Sequence, residues 1–204
     1  MELKAVIFDV FGTTLRIAEG AHPYRKLMRA GIKQGRRPRP EDASILMSGA
    51  YGLMEAADLF GIEVSPPELD RLDALLRAEV ASIEPYTDAV LCIAALKAAG
   101  LKVGICSNLA LPYGDAVTRH FPDLDAYGFS FEAGVLKPDR RIYESVLQAM
   151  GVGAGATWMV GDSQRCDQLG PEEVGIKGHL LQRAGGELAD LMQFGEVALR
   201  AVDR

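Results

Sequence analysis

The chain has 204 residues, of which 49% are apolar and 25% are charged; its formal net charge at pH 7 is −6 and its calculated pI is near 5.1. This is an ordinary globular composition, long enough for one large domain with a substantial core. The acidic balance argues against a general nucleic-acid binder. Three widely spaced cysteines argue against both a disulfide framework and a zinc site.

The same features predict a cellular setting and a set of partners. Sparse cysteines favour a reducing cytoplasm, and the first residues lead directly into a strand rather than into an apolar signal core. No apolar run approaches the length of a membrane span. We therefore expect a cytoplasmic protein, a monomer or homodimer, with a small-molecule partner and neither nucleic acid nor membrane.

In chain order, the first predicted element is a short apolar strand that ends in Asp9. Its length and composition are typical of a buried strand in a parallel sheet, and working sites in such sheets lie at the carboxyl ends of the strands. A carboxylate at that position can bind a metal or attack an electrophile. Gly12 permits an unusual turn after the strand, and Thr13 can donate a hydrogen bond to the carboxylate.

The next segment, residues 16–85, is predicted to be entirely helical. A helix is expected over 22–32, and a basic, proline-rich loop over 33–40 separates it from a second helix that runs from Glu41 to Phe60. A third helix is expected after Pro66 and Pro67. With no strand between them, these helices predict a small helical domain inserted after the first strand.

From residue 86 onward, predicted strands and helices alternate. Apolar strands are expected over 101–106, 127–130, 157–160 and 176–181, with helices between them and a last helix over 187–202. This alternation is typical of an α/β fold with a Rossmann-like parallel sheet and helices on both faces. We therefore predict a core formed by residues 1–15 and 86–204.

Polar, chemically capable residues follow several of these strands. Ser107 and Asn108 follow the second strand, Asp162 follows the fourth, and Lys137 and Asp167 lie in adjacent connections. Because the carboxyl ends of parallel strands share one edge, these side chains can converge on Asp9. Neighbouring carboxylates repel one another unless a cation lies between them, which suits Mg²⁺, whereas lysine and serine can bind ligand oxygens.

Taken together, these segments resemble the haloacid dehalogenase-like hydrolase superfamily over nearly the whole chain. The run from Asp9 to Thr14 is similar to the first family motif, Ser107–Asn108 to the second, Lys137–Pro138 to the third, and the segment from Gly161 to Asp167 to the fourth. The resemblance implies a Rossmann-like core, and it implies that the helical insert is a type-one cap that closes over the active site.

Phe11 departs from the phosphatases of that superfamily, which usually carry a proton-donating aspartate two residues after the nucleophile. The dehalogenase branch has a similar first motif with the same departure, and it needs no metal. The fourth motif favours the phosphatases, because dehalogenases tend to replace its first aspartate with serine, whereas this chain keeps Asp162 and Asp167. Phosphonate-cleaving members also lack the second aspartate yet keep the metal.

The leading expectation is therefore a Mg²⁺-dependent, phosphatase-like hydrolase of a small phosphorylated metabolite, acting through an aspartyl-phosphate. Two alternatives stay open: a metal-free 2-haloacid dehalogenase and a non-enzymatic phospho-acceptor module. The expected catalytic residues are Asp9, Thr13, Ser107 and Lys137; the substrate-binding residues are Ser107, Asn108 and Arg25, with Arg36, Arg37 and Arg39 as further candidates; the metal ligands are Asp9, the Phe11 carbonyl, Asp162 and Asp167.

Overall fold

The computed structural model describes residues 2–202 of the chain. The strands, in chain order, are β1 (Ala5–Phe8), β2 (Leu15–Ile17), β3 (Ile83–Pro85), β4 (Lys102–Ser107), β5 (Ala126–Phe129), β6 (Thr157–Gly161) and β7 (Lys177–Leu180). The helices are α1 (Pro23–Lys33), α2 (Asp42–Met47), α3 (Leu53–Leu59), α4 (Pro66–Ala81), α5 (Thr87–Ala98), α6 (Leu111–His120), α7 (Ser130–Ala133), α8 (Arg140–Met150), α9 (Gly170–Glu172) and α10 (Leu191–Val202). A π-helical segment, Gln164–Leu169, precedes α9.

Five strands form one parallel sheet in the order β5-β4-β1-β6-β7. The first strand lies in the centre, where Phe8 is level with Ile105 of β4 and Val160 of β6. The carboxyl ends of the three central strands therefore lie side by side. Asp9 emerges between the ends of its two neighbours, which is the position that the site requires.

Helices cover both faces of this sheet, and the residues of β1 alternate between them. Val6 and Phe8 belong to a core cluster with α5, α6 and α10, whereas Ala5 and Ile7 belong to a cluster with α8. This two-residue alternation is what a strand buried on both faces requires. The predicted α/β fold with a Rossmann-like parallel sheet is confirmed.

The helices α1–α4 lie between β2 and β3, and we call residues 16–85 the helical insert. The expectation that this segment has no strand is wrong at its two ends, because three-residue strands too short to show a sequence pattern pair there. The two short strands form an antiparallel pair in which Leu15 is opposite Pro85 and Ile17 is opposite Ile83. The insert has its own apolar cluster around Leu27, Leu53 and Leu72, whose burial contributes roughly 2 kcal/mol per side chain. The division into a core and a separate cap stays a prediction.

The expected second helix of the insert, Glu41 to Phe60, is wrong as a single element. It is two helices, α2 and α3, with an irregular segment over 48–52 between them. That segment contains Gly49 and Gly52, and glycine disfavours a helix interior by about 1 kcal/mol relative to alanine. A Cβ on Gly49 would also lie 2.4 Å from the Tyr51 ring, so a larger residue at this position would require the ring to move.

Within residues 2–202, none of the helices combines the length and the apolar character that crossing a membrane requires.

Candidate active site

Asp9 lies at the end of β1, and its two carboxylate oxygens have different surroundings. Oδ1 accepts hydrogen bonds from the Ser107 hydroxyl at 3.0 Å and from Lys137 Nζ at 2.7 Å. Oδ2 has a single long contact, 3.4 Å from the Thr13 hydroxyl. The carboxylate is thus anchored through one oxygen, and the other is the freer of the two to contact a ligand.

Lys137 holds three parts of the site together. Its Nζ donates to Asp9 Oδ1, to Asp167 Oδ1 and to the Cys106 carbonyl, each at 2.7 Å, so all three N–H donors have acceptors. Burial alone would lower the pKa of Lys137, but the adjacent carboxylates outweigh burial and raise it. The side chain is therefore a fixed positive charge within the site.

Three carboxylates form a group that could hold a metal ion. Oxygens of Asp9, Asp162 and Asp167 lie within 4.8 Å of one another, at the spacing of ligands around one cation. Burial raises the pKa of Asp167 to about 6, and burial together with Asp9 raises the pKa of Asp162. Lys137 forms ion pairs with Asp9 and Asp167 but not with Asp162, and among residues 2–202 no other cation forms an ion pair with the three. The group therefore has an excess of negative charge that one divalent ion would balance.

Two glycines allow this close packing of carboxylates. Gly12 has a φ of +84°, and a Cβ at this position would lie 2.1 Å from Asp162 Oδ2. A Cβ on Gly161 would lie 2.3 Å from Asp167 Oδ2. Both distances are far inside van der Waals contact, so a side chain at either position would force the neighbouring carboxylate to move.

Asn108 and Phe11 also line the cavity at Asp9, as do Ser163 and Cys166; the cavity has a volume of about 230 Å³. The Asn108 amide accepts from Lys137 N at 2.7 Å and donates to the Lys137 carbonyl at 3.1 Å, so it positions the lysine backbone. Phe11 is half-buried and packs edge-on against Tyr113, with ring centroids 5.8 Å apart. Its side chain offers no proton to a leaving group.

The structure brings together most of the predicted site residues, but not the arginines. Asp9, Thr13, Ser107, Asn108, Lys137, Asp162 and Asp167 are linked through direct contacts or line the same cavity, and Phe11 borders it. Arg25 is exposed on α1 and is not among the residues that line this cavity. Its role as a substrate ligand has no support in this geometry.

The arginines of the basic loop surround a different cavity, of about 330 Å³, within the insert. Arg36 forms a bidentate ion pair with Asp42, with distances of 2.8 and 2.6 Å, and it stacks over the Phe60 ring. Arg37 and Arg39 line the same cavity, which shares no lining residue with the one at Asp9. Arg36 thus stabilises the insert rather than reaching Asp9.

Sequence reasoning missed Arg183, in the loop after β7. Its guanidinium donates to the carbonyls of Gly12 at 3.2 Å and Thr13 at 2.6 Å, and it forms a bidentate ion pair with Asp88. It also stacks over Tyr86, 3.8 Å from the ring centroid. Arg183 therefore fixes the backbone that follows Asp9, although no motif surrounds it that could have indicated this contact.

A comparison with models of protein families matches residues 3–175 to the haloacid dehalogenase-like hydrolases. The chain belongs to this family. The resemblance inferred from the four motifs is confirmed, and so is the expectation of an enzyme, because the relatives below carry the names of hydrolytic enzymes. The non-enzymatic alternative has no comparable support.

Curated relatives include both phosphatases and dehalogenases. The chain is 30% identical to an (S)-2-haloacid dehalogenase of Pseudomonas sp. (strain YL), with 98% of this chain and 93% of the relative covered. It is 26% identical to an N-acetylmuramic acid 6-phosphate phosphatase of Pseudomonas aeruginosa, over 81% of this chain and 76% of the relative. It is 31% identical to haloacid dehalogenase-like hydrolase domain-containing protein 3 of Danio rerio over 59% of this chain, and spans half the length of that relative.

Solved structures agree on the fold. A HAD phosphatase from Thermococcus onnurineus superposes with a TM-score of 0.67 at 20% identity, covering 96% of this chain and 97% of the other. A HAD family enzyme from Bacteroides thetaiotaomicron, in complex with magnesium and inorganic phosphate, superposes with a TM-score of 0.64 at 15% identity, covering 91% and 97%. At these identities, the superpositions establish shared architecture.

Proposed function

We propose that the protein is a Mg²⁺-dependent hydrolase that removes the phosphoryl group from a small phosphorylated metabolite through an aspartyl-phosphate. The observation that supports this most strongly is the group of three carboxylates, Asp9, Asp162 and Asp167, around one lysine. Their excess negative charge matches a divalent cation. A metal-free reaction of Asp9 would be hindered by the same charge, because an anionic substrate would be repelled.

In this proposal, Asp9 attacks phosphorus through Oδ2, the oxygen with the fewer contacts. A bond forms between Oδ2 and phosphorus while the bond from phosphorus to the leaving oxygen breaks, and its electron pair departs with that oxygen. Ser107 and Lys137 hold Oδ1 and thereby orient the carboxylate. Water then attacks the acyl-phosphate, releasing inorganic phosphate and restoring the Asp9 carboxylate.

Asp9, Asp162, Asp167 and the backbone carbonyl of Phe11 are the proposed metal ligands. Bound Mg²⁺ would supply positive charge next to the transferring phosphoryl group. Lys137 supplies a second, permanent charge, and its contacts with Asp9 and Asp167 keep the two carboxylates in place.

A 2-haloacid dehalogenase is the second candidate. Phe11 favours it, because a halide leaves without a proton and needs no acid at that position. The relative from Pseudomonas sp. (strain YL), similar along nearly the whole chain, has this activity in its name. In this case, Asp9 would attack carbon, and Asp162 would have no metal to bind.

One assay separates the two candidates. We expect phosphate release from a panel of phosphate esters that stops with EDTA, returns with Mg²⁺ and falls at least about 10³-fold in Asp9→Asn. The matched control, Asp58→Asn on the exposed side of α3, keeps wild-type activity. Halide release from 2-chloropropionate in EDTA would instead identify a dehalogenase, and phosphate release that survives chelation would contradict the metal site.

A further inference from the structure

A second cavity, of about 240 Å³, adjoins the one at Asp9. Phe11 and Asn108 line both, so the two cavities are neighbours on either side of these residues. The remaining walls come from the insert and from α6 with the segment before it: they include Ile17, Tyr24, Leu46, Met47, Leu109 and Tyr113. This surface is almost wholly apolar, and it lies where the non-transferred part of a substrate must fit.

The polar groups in these walls are already bonded to the protein. The Tyr24 hydroxyl donates to the Tyr51 carbonyl at 2.9 Å, and the Tyr113 hydroxyl donates to Glu79 at 2.5 Å. Burial foremost, reinforced by nearby carboxylates, raises the pKa of both phenols. Neither hydroxyl can therefore readily donate its proton to a departing oxygen.

The cavity at Asp9 offers no better donor among the described residues that line it. All three protons of Lys137 Nζ are directed to protein acceptors, and the Cys166 thiol points to the Lys137 carbonyl at 3.5 Å. Phe11 has no acidic proton, and the Asn108 side chain is an amide. The Ser107 hydroxyl donates to Asp9, the Ser163 hydroxyl is a weakly acidic alcohol, and Asp162 and Asp167 are metal ligands in the proposed function. A leaving oxygen in this site departs as an anion.

We propose, as a refinement that rests on the proposed function, that the substrate is the phosphate of an acidic hydroxyl carried on an apolar group. The hydroxyl belongs to a carboxylic acid, an enol or a phenol, because only such an oxygen keeps the electron pair of the broken P–O bond without protonation. The Asp9 Oδ2–P bond forms as the P–O bond breaks, and the leaving group is released as a carboxylate, enolate or phenolate. The phosphate of an ordinary alcohol is a poor substrate.

A series of aromatic phosphates tests the leaving-group requirement: benzoyl, 4-nitrophenyl, phenyl and benzyl phosphate, each with Mg²⁺. We expect kcat/KM to fall by at least about 100-fold between 4-nitrophenyl and phenyl phosphate, with benzyl phosphate lower still. In Phe11→Asp, which supplies an acid, benzyl phosphate should gain at least about tenfold while 4-nitrophenyl phosphate changes less.

The outcomes distinguish this inference from the proposed function. Wild-type hydrolysis of benzyl phosphate within tenfold of 4-nitrophenyl phosphate would overturn the leaving-group requirement and leave a phosphatase. Phosphate release from none of the four compounds, benzoyl phosphate included, would overturn the proposed function and this refinement with it.

A second comparison tests the apolar cavity. Benzoyl phosphate should have a kcat/KM at least about tenfold above that of acetyl phosphate, after subtraction of spontaneous hydrolysis. Met47→Lys should reduce this preference while acetyl phosphate hydrolysis persists, which also shows that the variant folds. The control, Met54→Lys, changes a methionine that is 56% exposed on α3 and should keep the preference. Equal kcat/KM for the two substrates in the wild type would contradict an apolar leaving group.

Discussion

Gly12 allows Asp162 to lie close to Asp9, because a side chain at position 12 would overlap the Asp162 carboxylate. The carboxylate occupies the space that a side chain at position 12 would fill, and the backbone there has a φ of +84°. Gly12→Ala should raise the Mg²⁺ concentration for half-maximal activity at least about tenfold and destabilise the fold by about 1 kcal/mol or more. Mg²⁺ titration of activity and urea unfolding measure the two effects.

Gly35→Ala is the matched control for this substitution. Gly35 also has a positive φ, +93°, but nothing lies within 4 Å of the Cβ that alanine would add. Backbone strain should therefore destabilise this variant to a similar degree without changing its response to Mg²⁺. If the two alanine variants need the same Mg²⁺ concentration, Asp162 is not a metal ligand.

The position of most site residues could be anticipated from the sequence, because each follows a strand or lies in a connection at one edge of a parallel sheet. Asp9 directly follows β1, Ser107 is the last residue of β4, and Asp162 directly follows β6. These three strands are neighbours in the sheet. Which oxygen of Asp9 is free could not be anticipated, since it depends on the reach of Lys137 from a loop 128 residues away. The catalytic roles of these residues stay predictions.

At the scale of elements, Arg183 joins the loop after β7 to the loop after β1. Arg183→Met keeps the length of the side chain and removes the bonds to Gly12, Thr13 and Asp88. We expect kcat to fall about tenfold with little change in KM, because the nucleophile is less well oriented while substrate contacts persist.

Steady-state kinetics measure this effect, with Arg200→Met as the control. Arg200 lies on α10, 77% exposed, in an ion pair with Glu196, and it should keep wild-type kinetics. A rise in KM with kcat unchanged in Arg183→Met would mean that Arg183 acts on substrate binding and not on the position of Asp9.

The elements also differ in how far the sequence determines them. β1, β4 and β6 could be predicted because apolar residues fill both faces of each strand. β2 and β3 could not, since each has only three residues and owes its conformation to pairing with a strand that is 65 residues away in the chain. The break between α2 and α3 lies at the segment with Gly49 and Gly52, which the helical periodicity of the apolar residues does not reveal.

At the scale of the whole molecule, His179 makes stability depend on pH. Its Nε2 is buried without a hydrogen-bond partner within residues 2–202, between the rings of Trp158 and Phe194. Burial foremost, with Lys177, lowers the pKa of His179 to about 4, whereas the unfolded chain binds this proton near pH 6.5. The stabilisation from neutral His179 is thus fully present above about pH 6.5. The free energy of unfolding falls by about 2 kcal/mol as the pH falls toward 4.

Urea unfolding at pH 7.5 and at pH 4.5 measures this loss against His179→Phe, which cannot take up the proton. The difference in unfolding free energy between the two pH values should be smaller in the variant by about 1–2 kcal/mol. His22→Asn, an exposed histidine in a left-handed conformation that asparagine tolerates, should behave as the wild type. Identical pH dependence in wild type and His179→Phe would mean that other groups account for it.

The pairing of β2 with β3 has a consequence for how such a protein can diversify. The chain leaves the sheet layer at Leu15 and returns at Pro85, directly opposite, so both connections to the helical insert lie at one point, shortly after Asp9 in the chain. A different segment could be inserted at this point, provided that its two ends lie close together, while β1, β4 and β6 keep their registers. A chimaera that exchanges residues 16–85 should therefore change the walls of the apolar cavity while Asp9, Lys137 and Asp167 keep their contacts.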